Sequence, residues 1–175
     1  MLLRLHQAAK LALASLVLLA SFELGAASAP AVMPPLTAIN LDGKPFRFDA
    51  PGLRPAVINV WATWCPPCRN EMASLQQLAA HLKQDGIAVV ALSVDTDHNL
   101  VREFALKYGI KIPTPIATTP RQAMSALDVS ALPVTLYVDA DGRIVGRNIG
   151  QRDWSDEASA QEVRRTLSIP RGSGR

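Results

Sequence analysis

Two cysteines, Cys65 and Cys68, stand three residues apart, and the chain has no others. They lie in the run Trp61-Ala62-Thr63-Trp64-Cys65-Pro66-Pro67-Cys68-Arg69-Asn70-Glu71. A bridge that closes so small a loop removes little entropy from the unfolded chain, so it is a poor staple, and the spacing favours chemistry. Attachment of a c-type haem needs histidine directly after the second cysteine, where Arg69 stands. A structural zinc site needs four ligands, and His81 and His98 are distant from the pair. Thiol–disulfide exchange needs only an activated thiolate and a second thiol that resolves the mixed disulfide.

The flanking segments are those such a thiolate requires. Ala56 to Trp61 (AVINVW) is a short apolar run, as expected of a buried strand. From Cys65 to Lys83 the apolar positions Met72, Leu75, Leu78, Ala79 and Leu82 recur at helical spacing, and Asp85-Gly86 ends that helix. Cys65 therefore falls at the first helical turn, where unpaired N–H groups and the positive dipole end stabilise a thiolate. That placement lowers a thiol from its free value of about 8.5. Pro66 and Pro67 fit a first turn and remove two donors, which makes the Cys68 N–H and thiol the nearest donors to Cys65.

Further along, Ile87 to Val94 (IAVVALSV) is a second buried strand. Asp97 caps a helix with Leu100, Val101, Phe104, Ala105 and Tyr108 on one side and Gly109 as its stop. Asp95, Asp97 and His98 together read as that capped start rather than as a metal cluster, and Met33, Met72 and Met124 are dispersed. Lys111 to Ala117 is a proline-broken short strand, and Pro120 to Leu127 a short helix. Val134 to Val138, the Asp141-Gly142 turn and Arg143 to Ile149 form a β-hairpin, and Ser155 to Leu167 a last amphipathic helix. Near the start, Leu41-Asp42-Gly43-Lys44 followed by Phe46-Arg47-Phe48 predicts a short hairpin. Strands alternating with helices make the class α/β with a mixed sheet.

Residues 1–28 have a basic start and a twelve-residue apolar run from Leu11 to Phe22, and small residues follow at 25–29, across the boundary with the next segment. That is the order of a secretory signal, with an uncleaved N-terminal membrane anchor as the alternative. Residues 29–36 read as a proline-rich extended leader, 37–168 as one domain and 169–175 as a flexible tail. The +3 charge is scattered, so no nucleic acid is expected as a partner. The one basic cluster, Arg164, Arg165, Arg171 and Arg175, reads as a helix C-terminus and tail. Exported, the protein would work in the periplasm or another extracytoplasmic space.

The stretch from Ile58 to Cys68, INVWATWCPPC, resembles the thioredoxin-like thiol–disulfide oxidoreductases of the TlpA type, and the resemblance runs from about Leu36 to Leu167. It implies a thioredoxin fold: a mixed central sheet flanked by helices, with a short N-terminal β-hairpin and a central insert over residues 95–120. It makes Cys65 the exposed nucleophile and Cys68 the resolving thiol. Leu132-Pro133-Val134-Thr135 matches a loop whose cis proline faces the cysteines, where Leu132 and Pro133, with Trp64, Pro66 and Pro67, would hold an extended substrate chain. Without the resemblance, a trans proline opening an edge strand fits Pro133 equally. Glu71 matches an acidic residue often found just after the motif. It is a candidate proton relay beside the plain reading of an acid in a first helical turn.

Asn59 departs from ordinary thioredoxins, which carry a buried aspartate there, so a proton acceptor must come from Glu71 or water. The resemblance implies reduction of partner disulfides, including cysteine pairs of apocytochromes or copper-site proteins, with electrons from a membrane thiol donor. No cofactor beyond the Cys65–Cys68 disulfide is implied, and no metal. The cytochrome-c-maturation branch usually has Gly-Val-x-Gly-x-Pro-Glu-Thr at the proline loop, and here Val129-Ser130-Ala131-Leu132-Pro133-Val134-Thr135 stands instead. The rival from another class is a Cu(I) metallochaperone with the same fold, which a copper titration of the reduced protein separates. A peroxidase would need Thr-x-x-Cys, and Ala62 replaces that threonine.

Overall fold

The computed structural model describes residues 31–167. The expected signal or anchor at 1–28, the first two leader residues and the tail at 169–175 lie outside the described residues.

Seven strands form one mixed sheet in the order β2-β1-β5-β4-β3-β6-β7. In chain order these are β1 (Ala38–Ile39), β2 (Pro45–Phe46), β3 (Ala56–Trp61), β4 (Ala88–Ser93), β5 (Ile116–Ala117), β6 (Val134–Val138) and β7 (Ile144–Ile149). The described helices are α1 (Pro66–Leu82), α2 (His98–Tyr108), α3 (Pro120–Ala126) and α4 (Glu157–Leu167). β3 lies at the centre, parallel to β4 and antiparallel to β6. All six of its residues are buried, which explains why its sequence is apolar on both faces rather than alternating. α1 packs over β4 and against α4, which also rests on β6 and β7.

Local chemistry sets the helix ends. The α1 N-cap is Cys65, with Pro66 and Pro67 opening the first turn. A short 3₁₀ turn follows, and Gly86 at φ 68° ends it in the left-handed region that suits glycine. Asp97 caps α2, its side chain accepting from the Asn99 N–H at 2.9 Å, and Gly109 closes it at φ 61°.

Four details differ from the sequence expectations. α4 begins at Glu157 rather than Ser155, because Asp156 accepts the Ser159 N–H at 2.8 Å and so caps the helix two residues later. On α2, Val101, Phe104 and Ala105 turn inward while Leu100 and Tyr108 are exposed, since the buried stripe is narrower than five positions. Residues 31–33 run alongside the start of β7: Met33 N–H donates to Gly142 O, Ile144 N–H to Ala31 O, and Met33 is buried. Finally, Asp95 is buried and takes no part in the α2 cap.

Candidate active site

β3 ends at Trp61, and four residues carry the chain from its C-terminal end to the first turn of α1. Cys65 and Cys68 are joined there as a disulfide. The Cys65 sulfur is itself the helix cap, accepting the Cys68 N–H at 3.3 Å. Prolines at the next two positions offer no N–H, so this donor has no competitor from the first turn. Cys68 is fully buried and Cys65 is 4% exposed, so the two sulfurs differ in access only slightly in the oxidised form. Trp64 is 65% exposed, so it does not pack into the core. Trp61 is the buried tryptophan of the motif, its ring 5.0 Å from Phe104.

The loop before Cys65 is clamped from the next strand. Asp95 accepts the Thr63 N–H at 3.0 Å, the Thr63 hydroxyl at 2.6 Å and the Ser93 hydroxyl at 2.8 Å. Such charge-assisted bonds fix the approach to Cys65 more firmly than neutral ones would.

One helical turn after Cys68, the Glu71 carboxylate is almost wholly buried. It accepts from Asn59 Nδ2 at 2.7 Å, the Arg152 N–H at 3.1 Å and Trp154 Nε1 at 3.2 Å. Burial raises its pKa above the ordinary carboxylate range, while the bonds from Arg152, Asn59 and Trp154 pull it back. Asn59 sits opposite Thr135 in the β3–β6 register and also donates to its hydroxyl at 2.9 Å. Among the described residues its Oδ1 has no partner. Position 59 thus supports the carboxylate instead of taking a proton itself.

Pro133 immediately precedes β6, whose first residue Val134 pairs with Val60. That register brings the proline loop to the end of the sheet from which the Cys65 loop departs. The Leu132–Pro133 peptide is cis, as is Arg54–Pro55, and Pro133 O accepts the Gly150 N–H at 2.9 Å. Sequence pattern alone does not single out Arg152 and Trp154. The available signal was a lone tryptophan inside a polar stretch, Gln151-Arg152-Asp153-Trp154-Ser155-Asp156, which marks a buried side chain. Among the described residues, no group of three or more His, Cys, Asp or Glu could hold a metal ion.

The profile of the family described as redoxin matches residues 25–163. The chain belongs to the redoxin family. This redoxin is 29% identical over 119 residues to the thiol–disulfide oxidoreductase ResA of Bacillus thuringiensis (strain Al Hakam), covering 68% of each chain. It is 35% identical over 88 residues to ResA of Bacillus subtilis, covering 50% of this chain and 49% of that one. Among solved structures, it resembles a thioredoxin-family thiol:disulfide interchange protein of Chlorobium tepidum TLS at 25% identity and TM-score 0.67, covering 81% and 99%. It also resembles a secreted Mycobacterium tuberculosis disulfide oxidoreductase homologous to E. coli DsbE, at 28% identity and TM-score 0.58, covering 71% and 92%. The redoxin has the thioredoxin fold and, with its Cys65–Cys68 pair, is a thiol–disulfide oxidoreductase.

Proposed function

We propose that the redoxin works in its reduced form outside the cytoplasm, reducing disulfides of partner proteins. The observation that carries this reading is the disulfide at a helix start, backed one turn later by a buried carboxylate. In the reduced protein, the Cys65 thiolate attacks one partner sulfur. The partner S–S bond breaks, its electron pair leaves with the second partner sulfur, and that thiolate takes a proton from water. Glu71, when ionised, then accepts the Cys68 thiol proton. The Cys68 thiolate attacks Cys65 in the mixed disulfide, closing Cys65–Cys68 and releasing the first partner sulfur as a thiolate. One partner disulfide gains two electrons and the protein dithiol loses two. A membrane thiol donor returns them in the same way.

The position of Glu71 on the same helix as Cys68, its burial and its raised pKa support a proton-relay role. Strand register at Val134 supports Leu132 and Pro133 as one wall of the substrate site, with exposed Trp64 and Pro66 beside the sulfurs. The export-type order of residues 1–28 and the secreted Mycobacterium tuberculosis relative support an extracytoplasmic location. Among the described residues no helix is long and apolar enough to cross a membrane. Cysteine pairs of apocytochromes or copper-site proteins are the proposed partners. The test is labelling of Cys65 in intact cells with a reagent that cannot cross membranes. Labelling is expected before lysis, and labelling only after lysis overturns the location.

A further inference from the structure

Beside the redox helix lies a groove that disulfide exchange by itself does not need. Pro66, Arg69 and Asn70 of α1 and Phe104 and Tyr108 of α2 line a cavity of about 340 Å³. That volume is at the low end for small-molecule pockets and suits a single side chain. The Arg69 N–H donates to Cys65 O at 3.1 Å, so its side chain leaves the helix one turn from the sulfur, roughly 5–6 Å along the axis.

Arg69 is a cation without an anion. Arg47, Arg147, Arg152 and Arg164 each meet a carboxylate, whereas among the described residues no carboxylate lies within ion-pair reach of Arg69, nor of Arg102 and Arg121, which lie outside the groove. Its contacts are the Tyr108 hydroxyl at 3.5 Å and the Phe104 ring at 5.9 Å. Lys107 adds a second positive charge, 5.5 Å from the Tyr108 ring. Arg69 and then Lys107 hold the Tyr108 phenol below its ordinary pKa, so the groove favours negative charge. Glu103 is the one acid on α2; it is exposed and makes no ion pair with either cation. Glu71, the one acid of α1, is turned into the core.

We infer that this groove selects polypeptide substrates carrying an acidic side chain close to the attacked cystine, with Arg69 as the residue that reads it. The inference rests on the disulfide-reductase reading above and adds a substrate class to it. An extended chain advances about 3.3 Å per residue, so the acid would lie about two residues from the attacked cysteine. Arg69 is then a specificity-determining residue, separate from any effect its charge has on the Cys65 thiolate.

The experiment uses three peptides that differ only two residues to either side of each cysteine of one intramolecular disulfide, where they carry aspartate, asparagine or lysine. Second-order rate constants for oxidation of the reduced full chain are measured at low salt. The aspartate peptide is expected to react about fivefold faster than the asparagine peptide, the upper range for an exposed ion pair. The ratio should fall to about one in Arg69→Gln, persist in Arg69→Lys, and reverse toward the lysine peptide in Arg69→Glu. Taking ratios cancels any change in thiolate reactivity, because that change acts on every peptide alike. Equal rates in the unsubstituted protein, or an unchanged ratio in Arg69→Gln, overturn the inference and leave the reductase reading standing. Failure of all three peptides to react overturns that reading, and this one with it.

Discussion

Replacing Trp154 by phenylalanine isolates one of the three bonds that hold the Glu71 carboxylate. Trp154 is fully buried, and its indole N–H donates to Glu71 Oε2 at 3.2 Å across 83 residues of sequence. Phenylalanine keeps much of the ring and loses the donor. A hydrogen bond to an ionised group contributes about 1.5–3 kcal/mol. At 3.2 Å the bond is longer than the 2.7–2.9 Å usual for charge-assisted pairs, which argues for the lower end, about 1.5 kcal/mol. With 1.36 kcal/mol to one pKa unit, the already raised Glu71 pKa should rise by about one further unit. The smaller ring also costs about 1–3 kcal/mol of packing at every pH. Denaturant unfolding across pH, done on the oxidised protein where neither cysteine titrates, separates the two effects. Below pH 4.5, the ordinary Glu71 value, the variant should show the packing loss alone. As pH rises past the folded Glu71 pKa of the unsubstituted protein, the gap should widen by about 1.5 kcal/mol. A gap constant over the whole range would refute the claim that the indole supports an ionised Glu71.

Two other substitutions, at Glu71 and Asp95, carry three further expectations. Because burial raises the folded pKa of Glu71, its contribution to stability is complete below pH 4.5 and is lost as pH climbs through the folded value. Glu71→Gln should therefore abolish a falling segment in the stability–pH curve, of slope at most about 1.4 kcal/mol per pH unit, and urea unfolding reads it directly. In the reduced protein the same variant should slow release of mixed disulfides much more than their formation, which stopped-flow kinetics with a model disulfide resolves; equal slowing of both steps would remove Glu71 from the relay. Asp95→Ala leaves the half-buried Thr63 N–H and hydroxyl and the buried Ser93 hydroxyl without their acceptor and should cost about 2–4 kcal/mol, measured by chemical denaturation.

The parts of the molecule built from local signals were legible in the sequence. Cys65, its two prolines and the apolar spacing to Leu82 define a helix start that needs no distant partner, and Asp97 and Gly109 bracket α2 in the same way. The apolar run of β3 and the Asp141-Gly142 turn announced a central strand and a hairpin. Contacts made at long range were not legible. Trp154 and Arg152 sit in a polar loop whose composition says nothing of Glu71, and Asp95 reaches Thr63 across 32 residues. In sequence Asp95 resembles part of the α2 cap, being a carboxylate two residues before it, whereas its oxygens point to the loop before Cys65. Trp64 shows the limit of residue type alone: tryptophan is usually buried, yet beside the dithiol this one lies open.

The most direct test of the account is to ask which sulfur joins the partner. Reduced Cys68→Ala and Cys65→Ala proteins are mixed with a disulfide-bearing peptide, quenched with acid and mapped by mass spectrometry. A stable mixed disulfide on Cys65 is expected in the first variant, because the nucleophile remains and the resolving thiol is gone. Little or none is expected on Cys68 in the second, because Cys65 alone of the two stands as the helix cap. A mixed disulfide that accumulates on Cys68, with Cys65 unreactive when alone, would contradict the assignment of attack to the helix-capping sulfur.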